Sequence, residues 1–136
     1  MTPQEDARIT ELLATAKTIA VVGLSSKNHR ASFGVSQYLQ SCGYQVIPVN
    51  PMEAEILGEK SYARLEDIPE KIDIVDVFRR SEFVPDIVDS AIRVGARCVW
   101  MQEGVEDEVS AERARQAGLL VVMDLCIAKE LHKRRR

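Results

Sequence analysis

Along this chain two hydrophobic periods alternate from end to end, and that alternation narrows the possible folds more than any other feature. Apolar, β-branched runs occupy residues 18–23, 45–50, 72–78, 97–101 and 119–123. Runs of this kind read as strands of a parallel sheet buried on both faces. Between them, apolar residues recur at helical spacing: Ile9, Leu12, Leu13 and Ala16; Val35, Tyr38, Leu39 and Cys42; Val84, Ile87, Val88, Ala91 and Ile92; and a further helical stretch over 110–117. Thr2-Pro3-Gln4-Glu5 forms a capping box with proline at the first helical position, Ser81 is expected to cap the third helix, and Gly43, Gly95 and Gly118 supply the stops. Pro48 lacks a ladder donor, so it is placed near a strand end. Residues 51–69 carry weaker signals: a short strand over 55–58 and 60–62, then a helical turn at 65–68. The expected fold is α/β: a doubly wound, mainly parallel sheet of about five strands with helices on both faces, Rossmann-like, in one domain over 1–136.

Composition removes several functional classes. The 136 residues suit one domain, and 46% hydrophobic with 29% charged residues is a globular balance. A net charge of −3 argues against a nucleic-acid binder, which needs a basic excess against phosphates. The one basic run, Lys133 to Arg136, reads as a frayed end. The first residues lack the basic and apolar regions of a signal peptide, and no apolar run approaches the roughly 18 residues of a membrane span. Cys42, Cys98 and Cys126 are too widely and irregularly spaced for a disulfide framework or a zinc site. A cytoplasmic protein without a metal is expected.

In doubly wound sheets, ligands sit beyond the carboxyl ends of the strands, so the residues after each strand carry the information. The first strand is followed by Gly23-Leu24-Ser25-Ser26-Lys27-Asn28-His29-Arg30. Gly23 permits a tight turn, the serines are small and polar, and a helix starting near Ser32 aims its amides back at the crevice. Lys27 and Arg30 add positive charge, so the loop suits an anion. It is not a P-loop, because no Gly-x4-Gly-Lys-Ser/Thr pattern occurs. Nor is it a dinucleotide fingerprint: Ser25 and Asn28 stand at the second and third glycine positions. The second strand ends Val49-Asn50-Pro51, without an acid at its tip for ribose hydroxyls, which disfavours NAD.

The chain resembles the small CoA-binding-domain proteins of bacteria and archaea, whose fold is shared with the CoA-binding domain of the succinyl-CoA synthetase α subunit. The resemblance rests on blocks in order: residues 19–26, 43–51, 56–58, 73–80, 99–104 and 121–124 with Cys126. It implies that Gly23, Ser25 and Ser26 line the phosphate side, joined by Arg30, and that Val49, Asn50 and Pro51 flank the nucleotide. It further implies that Phe78 and Arg79 bracket the adenine or pantetheine side, and that Gln102 and Gly104 complete the rim. The family commonly has Asp-Arg-Cys near the end, where this chain has Asp124-Leu125-Cys126. Asn50 is compatible with the 3′-phosphate of coenzyme A, which an acid there would repel.

A Cys126–His132 catalytic pair is disfavoured, since residues six apart on a helix face away from each other. Cys42 and Cys98 read as buried fillers, and Trp100 as core. In the synthetases the phosphorylated histidine lies in a further domain, so the resemblance carries over the cofactor site and not the reaction. Three readings stay open: a module that binds coenzyme A or acyl-CoA without its own catalysis, as carrier, sensor or regulatory subunit; an acyl-CoA enzyme completed by a protein partner's residues; and an NAD(P)-type oxidoreductase domain.

Overall fold

The computed structural model describes residues 1–135. Five parallel strands, β1 (Thr18–Val22), β2 (Gln45–Val49), β5 (Ile74–Val77), β6 (Cys98–Met101) and β7 (Leu120–Val122), form one sheet in the order β2-β1-β5-β6-β7. Between β2 and β5 the chain adds a two-residue hairpin, β3 (Glu55–Ile56) and β4 (Glu59–Lys60), turned at Leu57 and Gly58, and a short 3-10 turn, Leu65–Asp67. Pro48 is tolerated because β2 is an edge strand.

Side chains alternate across the sheet, so each strand feeds two cores. Ile19, Val21, Val46, Ile74, Cys98 and Trp100 pack under helices α1 (Pro3–Thr15), α2 (Ala31–Ser41) and α5 (Ile127–Arg134). Ala20, Val22, Ile47, Val49, Val75 and Val77 face α3 (Val84–Arg93), α4 (Glu108–Gln116) and the 3-10 turn. The expected doubly wound architecture is the observed one.

Local chemistry sets the helix ends. Thr2 Oγ1 accepts the Glu5 N–H at 3.1 Å, with Pro3 opening α1. Asp107 caps α4, which starts at Glu108, two residues before the expected start at Ser110. Ser81 does not cap α3: it opens a 3-10 turn, and its hydroxyl accepts the Glu106 N–H at 3.0 Å, tying the loops after β5 and β6 together. Among the described residues no helix is long and apolar enough to cross a membrane, and no cluster of histidine, cysteine and acidic residues is placed to hold a metal.

Asp76 departs from this packing logic. It lies mid-strand in β5, level with Val21 and Trp100, and is fully buried on the α1/α2/α5 face. Among the described residues neither carboxyl oxygen has a hydrogen-bond partner, and burial pushes its pKa well above the usual carboxylate range.

Candidate functional site

The strand order reverses between β1 and β5. From β1 the chain turns to α2 on one face, and from β5 to α3 on the other, so the loops after these strands diverge and open a crevice. Gly23 and Phe78 stand at its base, one residue beyond the paired Val22 and Val77. Gly23 has φ +89°, and a Cβ there would lie 2.4 Å from the Phe78 carbonyl oxygen and 2.9 Å from Arg79 Cδ. The glycine therefore serves the packing of β1 against the end of β5 as well as the turn.

A cavity of about 410 Å³ opens above this point, lined by Gly23, Ser25, Lys27, Arg30, Ser32 and Phe78. Its walls are built for an anion. The first turn of α2 has no acidic residue and its N-cap, Arg30, makes no side-chain cap; the Phe33 N–H donates to the Arg30 carbonyl at 3.1 Å, which leaves the Ala31 and Ser32 amides available. Two short bonds hold the loop open: Ser25 N–H donates to Ser32 Oγ at 3.0 Å, and Lys27 N–H donates to Ser25 Oγ at 3.1 Å. Lys27 and Arg30 are exposed at the mouth. Arg79 is half-buried beside Gly23, its guanidinium stacked 4.0 Å from the Phe83 ring centroid. This cation–π contact restrains the guanidinium beside the crevice, and a guanidinium over a ring can still donate its N–H groups to an anion.

The loop after β2 lies beside the loop after β1, and Val49, Asn50 and Pro51 are not among the residues lining the cavity. Asn50 is spent on holding the β2 loop: its amide donates to the Leu24 carbonyl at 3.0 Å, and its Oδ1 accepts the Met52 N–H at 2.9 Å. Val49 is buried at the strand end and Pro51 is exposed. Ser26 Oγ donates to Glu53 Oε1 at 2.7 Å, so an acid does reach the ligand loop, three residues beyond the strand tip where none was expected. No local signal marks Glu53; the adjacency of β1 and β2 brings it there.

Gln102 and Gly104 sit apart from that cavity. Gln102 is 4% exposed and accepts the Ile127 N–H at 3.1 Å, which anchors α5 beneath the rim. Gly104 is exposed with φ +83° and donates its N–H to Asp124 Oδ1 at 2.7 Å. Asp124 itself has φ +58°. The departure from Asp-Arg-Cys thus falls in a turn tied to the loop after β6. Cys126 is buried, while His132 is exposed and directed to the Tyr38 hydroxyl at 3.5 Å. Cys42 is half-buried at the end of α2 and not the core filler expected; Cys98 and Trp100 are fully buried, the indole N–H donating to the Leu125 carbonyl at 2.9 Å.

The family model of the CoA binding domain matches residues 17–132, which takes in every strand of the sheet and the whole anion loop. The chain belongs to the CoA-binding-domain family. A relative within reach of full length is the uncharacterized protein YneT of Bacillus subtilis, 44% identical over 121 residues that cover 89% of this chain and 90% of YneT. The solved structure of a hypothetical protein from Pyrococcus horikoshii OT3 superposes with a TM-score of 0.94 at 37% identity, covering 100% of this chain and 98% of that one. The α subunit of ADP-forming acetate–CoA ligase I from Pyrococcus furiosus is 30% identical over 95 residues, 65% of this chain but only 21% of the subunit. The CoA-binding domain therefore occurs both as a stand-alone chain of this size and as a fraction of a much longer ligase.

Proposed function

We propose that the protein binds coenzyme A, free or acylated, at the carboxyl ends of β1, β2 and β5, as a carrier, sensor or regulatory module that depends on other proteins for chemistry. The observation that carries this reading is the convergence in one cavity of an uncapped α2 N-terminus, Lys27, Arg30 and the Gly23 turn. A pyrophosphate suits these groups: backbone amides and cations each favour its charge, and their effects reinforce one another at a helix N-terminus. Arg79, restrained against Phe83, is the candidate for the 3′-phosphate. The thiols do not offer an exposed nucleophile at this crevice: Cys98 and Cys126 are buried, and burial pushes the Cys98 thiol up.

One variant and two ligands test the assignment of Arg79. Arg79→Ala should weaken coenzyme A about tenfold or more, the scale of a hydrogen bond to a charged group. Dephospho-CoA should lose less than about threefold in the same titrations, and equal losses for both ligands would remove Arg79 from the 3′-phosphate.

Glu53 is the one observation that favours the nicotinamide reading, since an acid near the second strand can hold ribose hydroxyls. The two readings give Glu53→Gln opposite signs. With coenzyme A, removing a carboxylate beside the phosphates should raise affinity severalfold at low salt, and with NAD it should lower it. Calorimetric titration of the variant with each ligand decides between them.

A further inference from the structure

A second cavity, about 250 Å³, lies on the other face of the sheet, between the 3-10 turn and α3. Its apolar lining is Val22, Val49, Ala63, Leu65 and Ile87. Val22 is the last residue of β1, whose following loop lines the first cavity, and Val49, the last residue of β2, accepts the Gly23 N–H on its carbonyl at 3.0 Å. One crest of backbone thus separates the two cavities.

The charges around the second cavity are largely spoken for. Glu66 accepts from Arg93 at 2.8 Å and from the Ser90 hydroxyl at 3.0 Å, and the Arg93 guanidinium holds its carboxyl below the usual range. Arg64 pairs with Asp67 at 3.1 Å. Asp86 adds a further negative charge to the lining. An apolar floor inside a rim of paired charges with a negative remainder suits a neutral, apolar guest and opposes an anionic one.

We propose that this cavity receives the acyl group of a short-chain, uncharged acyl-CoA, which makes the protein selective for monocarboxylic acyl-CoA over both free coenzyme A and dicarboxylic acyl-CoA. The inference rests on the coenzyme A reading: with the phosphates in the α2-side cavity, the flexible pantetheine arm crosses the crest and delivers the acyl group to the α3 side. Burying a methylene is worth about fourfold in affinity.

Calorimetric titrations of the full chain with coenzyme A, acetyl-CoA, butyryl-CoA and succinyl-CoA test this. Butyryl-CoA should bind about tenfold more tightly than coenzyme A, and succinyl-CoA no more tightly than coenzyme A. Ala63→Trp, at an exposed position where added bulk leaves the core intact, should abolish the butyryl increment and leave coenzyme A affinity unchanged. Coenzyme A binding without a butyryl increment, a succinyl increment equal to the butyryl one, or an increment that survives Ala63→Trp overturns the acyl site alone. Failure of every coenzyme A species to bind overturns the cofactor reading and the acyl site with it.

Discussion

Gly23→Ala should cost the fold several kcal/mol and abolish coenzyme A binding in whatever fraction stays folded. Two effects add at this position. The backbone sits at φ +89°, a region where a side chain costs about 1–3 kcal/mol. The new Cβ would also meet the Phe78 carbonyl oxygen at 2.4 Å, and that oxygen belongs to backbone that follows directly from β5. Relief requires moving β1 or the end of β5, and either movement displaces the loop that lines the proposed site. Gly43→Ala is the control, since Gly43 has φ +95° but a Cβ added there would meet nothing within 4 Å. Chemical denaturation should show Gly23→Ala to be the more damaging by at least about 1 kcal/mol, the scale of a core overpacking. Equal losses for the two variants would mean that the close approach of β1 to Phe78 carries no energy.

Asp76→Asn should stabilise the protein near neutral pH and flatten the pH dependence of its stability. The folded carboxyl has a raised pKa because it is buried without a partner among the described residues, whereas the unfolded one titrates near about 4. Above about pH 4 the folded state therefore holds a proton that the unfolded chain has lost. Stability falls as pH rises, by up to about 1.4 kcal/mol per pH unit for one proton, until the folded carboxyl ionises. Asparagine keeps the shape and cannot ionise, so its advantage over the wild type should grow as pH rises from about 5 through neutrality, until the folded carboxyl ionises. On the acid side, Asp73 has a lowered pKa in the fold: burial opposes the Lys17 and Thr18 amides and Arg97, and these win. Glu66, beside Arg93, is lowered too. Their contribution is present above the unfolded carboxyl pKa and is lost as pH falls through their folded values. Urea titrations of wild type and variant across that neutral range check this. Parallel stability curves would show that Asp76 is ionised or hydrated in the native state.

The layer architecture was legible because hydrophobic period is a local property, and each strand here is continuous enough to announce burial on both faces. The position of the loop between β1 and α2 followed from the same pattern, since a glycine ends β1 and a helical repeat resumes soon after it. What escaped were relations between distant segments. Nothing near Glu53 tells that its carboxylate reaches Ser26, because the pairing of β1 with β2 makes that contact. Ser81 has the right identity for a cap, yet the Glu106 amide, 25 residues away, takes its hydroxyl. Gln102 was expected at the rim on its place after β6, but the start of α5 draws its side chain inward. Asn50 did carry a signal: an asparagine before proline favours a side-chain-closed turn, and that is how it is used. Asp76 looks in sequence like any polar residue within a strand, and nothing near it tells that its carboxyl lies fully buried without a hydrogen-bond partner among the described residues.

On the reading proposed here, the crevice at the ends of β1 and β5 recognises coenzyme A and not a nicotinamide dinucleotide. Thermal unfolding of the wild-type chain with coenzyme A, NAD or NADP, each at the same concentration, tests it most directly. A ligand held only by the native state at a hundredfold excess over its dissociation constant stabilises by about 2.7 kcal/mol. A rise in melting temperature with coenzyme A alone is the result expected here, and an equal or larger rise with NAD or NADP would contradict it.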